Sequence, residues 1–225
     1  MKKSEIIFFF DSLKQSTPAP RTELSFENHF QLLTAVILSA QATDISVNKA
    51  TTPLFKVAPT AEKMIALGKE NLIQHIKSIG LYNAKAKNII LMSQILIDKY
   101  DGEVPSSFSA LEQLPGVGRK TANVVLNEAF QIPTVAVDTH VFRVSNRTGL
   151  ALGKTPHEVE AKLVKRIPKE YLLHAHHWLI LHGRYICVAR KPKCTQCSVS
   201  SVCKLYRKIS VDFVKSNNAK CNNDK

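Results

Sequence analysis

Long hydrophobic runs are missing from this 225-residue chain. The longest stretch without a charge, Asn28 to Thr43, is interrupted by His29, Gln31, Thr34, Ser39 and Gln41 and is too polar to span a bilayer. Asp11 ends the apolar run Ile6 to Phe10 before a signal-peptide core could form. The chain is therefore expected to be soluble, cytoplasmic and free of membrane. Glycine and proline are scarce, at 8 and 10 residues, which excludes collagen-like and low-complexity classes. Strand alternation is scarce too; the best segment, Thr134 to Val137, is too short to count. Acidic residues are outnumbered, 18 against 31 Lys plus Arg, leaving a net charge of +13. So basic a surface favours polyanions, with nucleic acid or an anionic membrane surface first.

What remains is helical periodicity over an apolar content of 44%, ample for a buried core. From Phe26 the positions Phe26, Phe30, Leu33 and Ile37 recur at helical spacing, with Leu32 and Val36 widening the stripe into a largely buried helix. Leu72, Ile73, Ile76 and Ile79 repeat the pattern, and Gly80 is expected to stop that helix. Ala84 to Tyr100, closed by Asp101-Gly102, and Arg119 to Phe130 are two further helices. Val141, Val144, Val159, Leu163 and Trp178 mark three more. The fold class is all-α. Ser216 to Lys225 is polar and reads as part of a disordered tail.

The segment Leu114-Pro115-Gly116-Val117-Gly118-Arg119-Lys120-Thr121-Ala122 joins two helices through a tight, glycine-containing turn. Glycines let a backbone approach a ligand closely, and the next helix offers free N–H groups and a positive dipole end. Gly116, Val117, Gly118 and Arg119 thus suit a DNA phosphate held without reading any base. The alternative is a turn that merely packs. Lys120 separates an enzyme from a binding module. An amine attacks only when neutral, and a helix N-terminus, the neighbouring Arg119 and cover by DNA all disfavour its ammonium. A plain phosphate contact is the competing role.

Together with Leu38-Ser39-Ala40-Gln41-Ala42-Thr43-Asp44, Ile79-Gly80-Leu81-Tyr82-Asn83, Val137-Asp138-Thr139-His140-Val141-Phe142-Arg143-Val144 and a late cysteine cluster, this hairpin makes the chain resemble the endonuclease III family over nearly its whole length. That family comprises helix-hairpin-helix DNA glycosylases with abasic-site lyase activity, acting in base-excision repair. The resemblance implies that Lys120 attacks C1′ of the damaged nucleotide, displaces the base, forms a Schiff base and nicks the strand by β-elimination. It also implies that Gln41 fills the space vacated by an extruded nucleotide and that Leu81 wedges between bases. The implied partner is duplex DNA carrying oxidised pyrimidines or abasic sites, met by a monomer in the nucleoid.

Asp138 precedes a helix, where Asp is a preferred N-cap; the resemblance makes it the catalytic carboxylate instead. His140 and Arg143 follow as candidate phosphate contacts. Cys187, Cys194, Cys197 and Cys203 form C-x6-C-x2-C-x5-C, a set able to hold Zn²⁺ or an iron–sulfur cluster. The resemblance selects a [4Fe–4S] cluster with an organising role. Arg190, Lys191 and Lys193, between the first two ligands, would aim cations at phosphate. Cys221 lies outside the pattern, and His174, His176, His177 and His182 lack ligand spacing and read as core or surface histidines.

The architecture implied is two helical domains with DNA in the cleft between them: residues 22–132 with the hairpin, and residues 1–21 plus 133–213 with the cluster, followed by a tail at 214–225. Two other readings differ from this. The adenine-excising relative lacks the lysine and uses a glutamate where this chain has Ala35; it also has a recognition domain after the point corresponding to Phe213, where only a short polar tail follows. A non-catalytic DNA-binding module would use the hairpin alone.

Overall fold

The computed structural model describes residues 1–210, and every regular element within them is helical. The helices are α1 Lys3–Ser16, α2 His29–Ser39, α3 Asp44–Val57, α4 Ala61–Leu67, α5 Lys69–Ile76 and α6 Tyr82–Tyr100. They continue as α7 Phe108–Glu112, α8 Arg119–Phe130, α9 Thr139–Thr148, α10 Pro156–Arg166 and α11 Lys169–Tyr185, with short 3-10 turns at Cys194–Gln196 and Ser200–Val202. The chain divides into two compact units, one of Arg21–Ile132 and one joining Met1–Pro20 to the residues from Pro133 onward. The expected tail at 214–225, with Cys221, lies outside the described residues. Among the described residues no helix is long and apolar enough to cross a membrane.

In the unit Arg21–Ile132, α2 is the central element and packs on α3, α6 and α8. Its residues Phe30 to Leu38 are all buried, so it is enclosed on every side, the polar Gln31 and Thr34 included. The helix begins three residues later than the periodicity from Phe26 implies. Asn28 accepts a hydrogen bond from Gln31 N at 2.9 Å and so fixes the start. Leu32, Leu33 and Leu38 are fully enclosed, and truncating one to Ala should destabilise the unit by about 2–5 kcal/mol. Helices α3 and α4 have no counterpart in the sequence reading, since Pro53 interrupts the first and the second has only seven residues. Gly80 is not the stop expected of it. Helix α5 ends at Ile76, and the left-handed residue is the next one, Leu81, with φ 60°.

The second unit is built on aromatic contacts that tie the N-terminal helix to residues far along the chain. Phe10 stacks on Tyr171 with ring centroids 5.5 Å apart, and Tyr171 packs edge-on against Trp178. Tyr171 Oη donates to Asp11 Oδ1 at 2.6 Å, and Trp178 Nε1 donates to Thr17 O at 2.8 Å. Around them Phe9, Leu13, Val141, Val144, Leu163 and Leu179 complete the core. Helix α9 lies against α11 with little room between, because a Cβ on Gly183 would stand 2.9 Å from the His140 Cβ. That contact explains a glycine inside a helix, where it would otherwise cost about 1 kcal/mol. His174, His176, His177 and His182 all belong to α11, and the last three are buried.

Candidate functional site

The hairpin between α7 and α8 is anchored from below and bare on top. Leu114 and Val117 are buried, and Val117 N donates to Leu114 O at 3.0 Å. The Val117 side chain therefore belongs to the core, and only its backbone can meet a ligand. Gly116 is left-handed at φ 82°, and a Cβ there would come within 3.1 Å of Asn88 and 3.3 Å of Ile37, so the turn requires glycine. Gly118 is different. Its φ of −98° suits any residue and a Cβ would meet nothing within 4 Å, yet it caps α8 with no side chain over the helix end. The result is an open N-terminus with exposed backbone, a general anion site. Arg119 is exposed with its guanidinium 5.1 Å from the Phe108 ring centroid. Lys120, in the first turn of α8, is exposed and its amine has no hydrogen-bond or ion-pair partner among the described residues.

Two turns in the same unit carry strained, outward-facing side chains. Gln41, just past α2, is exposed at φ 56°, and Leu81, the N-cap of α6, is 63% exposed at φ 60°. A left-handed conformation costs a non-glycine residue about 1–2 kcal/mol, and such strain gathers at functional positions. Leu81 is not the core residue that a leucine after glycine suggests by default. Beneath these turns sits Lys85, which sequence reasoning missed. It is 5% exposed, and its Nζ donates to Leu38 O at 2.9 Å and Ala40 O at 2.7 Å. Its signal was available, since Lys85 stands in register with Ile89, Met92 and Leu96 on the buried stripe of α6.

In the other unit Asp138 does cap α9: Oδ1 accepts from Val141 N at 2.7 Å. The carboxylate is half-buried, and the cap fixes its orientation while leaving Oδ2 without a partner among the described residues. His140 is half-buried, its Nδ1 3.1 Å from Arg143 Nη2. Because the guanidinium can only donate, that contact places the His140 proton on Nε2. Arg143 does not fit the expectation of a phosphate contact. Its Nε donates to Cys187 O at 3.0 Å and its Nη2 to Gly183 O at 2.7 Å, so it pins α11 and the cysteine loop instead. Arg147, one turn on, continues the grip with bonds to Val188 O and Ala189 O and a 3.8 Å contact to Cys187 Sγ.

Cys187, Cys194, Cys197 and Cys203 line one pocket together with His182, Ile186 and Tyr206. Burial pushes the Cys194 and Cys197 thiols up, and the neighbouring sulfurs push them further. Four sulfurs so gathered need a cationic group to be held as thiolates. Four soft thiolate donors around one pocket fit an iron–sulfur cluster as well as Zn²⁺. Arg190, Lys191 and Lys193 are exposed on the intervening loop, where Lys191 is left-handed at φ 51°.

The profile of the HhH-GPD superfamily of base excision DNA repair proteins matches residues 34–169, more than half of the chain. The chain belongs to this family. A second profile, the iron–sulfur binding domain of endonuclease III, matches residues 187–203, the span from the first cysteine to the fourth. Endonuclease III of Escherichia coli K12 is 54% identical over 211 residues, covering 94% of this chain and all of the relative. That of Rickettsia conorii is 60% identical over 197 residues, 88% of this chain and 94% of the relative. Among solved structures, an endonuclease III trapped as a covalent DNA intermediate superposes with a TM-score of 0.87 at 46% identity, over 93% of this chain and 99% of the other. The trapped endonuclease III thus shares the all-helical fold described above.

Proposed function

We propose that the protein is a bifunctional DNA glycosylase and abasic-site lyase that removes oxidised pyrimidines from duplex DNA. The observation that carries this reading is the Lys120 amine, exposed and unpartnered in the first turn of α8 directly behind an open phosphate-binding hairpin. Gly116 and Gly118 let the DNA backbone reach the N-terminus of α8, which holds the strand in register without reading sequence. The lesion nucleotide is extruded from the duplex. Gln41 takes the vacated place in the stack, and Leu81 enters between the bases.

The neutral Lys120 amine forms a bond to C1′ as the glycosidic C–N bond breaks, and the departing base takes the electron pair and then a proton. Ring opening gives a protonated Schiff base. That cation acidifies the 2′ C–H; loss of this proton expels the 3′ phosphate, and the strand is nicked. One amine thus serves both activities. The Asp138 carboxylate stabilises positive charge developing on the sugar. The four cysteine thiolates hold a [4Fe–4S] cluster, which when bound cross-links the loop rather than supplying electrons to the glycosidic chemistry. Arg190, Lys191 and Lys193 on that loop contact phosphate, and the protein acts as a monomer.

Nicking of a duplex containing thymine glycol tests the proposal. The wild-type protein should release the base and cut the strand, and Lys120→Gln should abolish both while still binding the duplex. Base release and nicking by Lys120→Gln at the wild-type rate would overturn the assignment of the nucleophile.

A further inference from the structure

The buried ammonium of Lys85 is unexplained by packing. An uncompensated charge placed inside a protein costs several kcal/mol, and a methionine of similar length would fill the same space without it. Nor does the amine meet a carboxylate among the described residues. Both of its hydrogen bonds go to main-chain carbonyls at the end of α2, Leu38 O and Ala40 O. The last carbonyls of a helix lack intrahelical partners and carry the negative end of the dipole, so a cation there is well matched. The residue immediately beyond those carbonyls is Gln41, held at φ 56°. At its other end Lys85 closes the first turn of α6, since Lys85 N donates to Leu81 O at 3.0 Å. Leu81 is the second left-handed, exposed residue of the unit. One residue therefore hydrogen-bonds to the main chain of both strained turns, through its side chain to one and its backbone to the other.

We propose that Lys85 is a positioning residue that locks the Gln41 and Leu81 turns to one another, so that both side chains enter the duplex as a rigid pair. This rests on the reading of Gln41 and Leu81 as the residues that enter the base stack. Two side chains on separately mobile turns would each lose freedom on insertion; two turns tied by a buried cation have lost it before binding. The strain at Gln41 and Leu81 also needs surroundings that hold it in place. Lys85 supplies such support from beneath, where it touches no DNA.

Lys85→Met separates this role from a purely structural one when lyase activity is compared on two substrates. In single-stranded DNA containing an abasic site there is no opposite strand to wedge apart and no gap to fill, so only the chemistry is read. In the duplex, insertion is read as well. Lys85→Met should lose about 10²-fold in kcat/KM on the duplex, the size of effect expected from a displacement of about 1 Å, and stay within about twofold of wild type on the single strand. Lys85→Arg, which keeps the cation, should recover most of the duplex activity. In a Gln41→Ala/Leu81→Ala background, adding Lys85→Met should change duplex activity little further. Activity on the single strand is itself the evidence that the variant folds; should Lys85→Met not fold, Lys85→Gln carries the same comparison.

Parallel losses on both substrates, or no loss on either, would overturn the proposal. Full additivity of Lys85→Met with the Gln41/Leu81 pair would do so too. A wild-type protein inactive on both substrates would instead count against the lyase reading itself, so the two failures are distinguishable.

Discussion

Asp138 has two jobs that substitution can pull apart. Its Oδ1 accepts from Val141 N at 2.7 Å and caps α9, while its charge is assigned to the chemistry. Asn caps as well as Asp, so Asp138→Asn keeps the hydrogen bond and loses only the attraction between carboxylate and helix dipole, about 0.3–1 kcal/mol. Asp138→Ala loses the cap as well, for a further 0.5–2 kcal/mol, typically about 1. At roughly 2–4 °C per kcal/mol for a chain of this size, Asn should lower the melting temperature by about 1–4 °C and Ala by several degrees more. Activity should not follow that order. Both variants remove the anion, and both should lose about 10²–10⁴-fold in the single-turnover rate on a duplex abasic site. Melting followed by circular dichroism, beside quenched single-turnover nicking, gives both quantities on the same samples. If Asp138→Asn retains activity within about threefold of wild type, the carboxylate is a cap only and the catalytic assignment is wrong.

Leu81→Gly relieves a left-handed strain of about 1–2 kcal/mol against a comparable loss of burial and chain entropy. The melting temperature should therefore stay nearly unchanged while duplex lesion binding weakens, and a large fall in melting temperature would contradict the exposed placement of Leu81. Burial, and after it the charges of His176 and His174, bring the His177 pKa down to about 3 from an ordinary value near 6.5. The native state therefore excludes a proton that the unfolded chain takes up, so stability is complete above about pH 6.5 and falls below it. By pH 5 the His177 share of that loss is about 2 kcal/mol. Denaturant titrations of His177→Asn should show a correspondingly flatter decline between pH 6.5 and 5, and parallel curves would refute the cause. Affinity for duplex DNA should fall steeply with salt, with a slope of log affinity against log salt near −0.9 for each phosphate neutralised; a salt-independent affinity would count against the basic surface as the binding face.

Much of this was legible in the chain because local rules and tertiary packing agree there. Helix α8 runs from Arg119 to Phe130 as its glycine start and apolar spacing imply, and Asp101-Gly102 closes α6 in left-handed conformations as that dipeptide suggests. The bounds of α2 slipped because an apolar stripe continues back to Phe26 while the cap at Asn28 decides the start. Gly80 misled for a physical reason. Glycine is the usual left-handed residue, but here the strain falls on Leu81, where a side chain is displayed. The cysteines stood out by clustering within residues 187–203, and Lys120 by its place behind the hairpin, while their assigned roles came from the resemblance. Arg143 did not reveal its role, since one sequence pattern serves a guanidinium turned to solvent or to the carbonyls of Gly183 and Cys187. Lys85 shares the buried stripe of α6 yet was passed over, because a lysine is assumed to be at the surface and its partners Leu38 and Ala40 are distant in sequence.

The central claim is that the Lys120 amine forms a covalent bond with the damaged sugar. Incubation with a thymine glycol duplex in the presence of borohydride, followed by proteolysis and peptide mass analysis, tests it most directly. The account predicts a reduced adduct on the peptide carrying Lys120 and none with Lys120→Gln. Base release without any adduct would identify a water-attacking glycosylase and leave Lys120 as a phosphate contact.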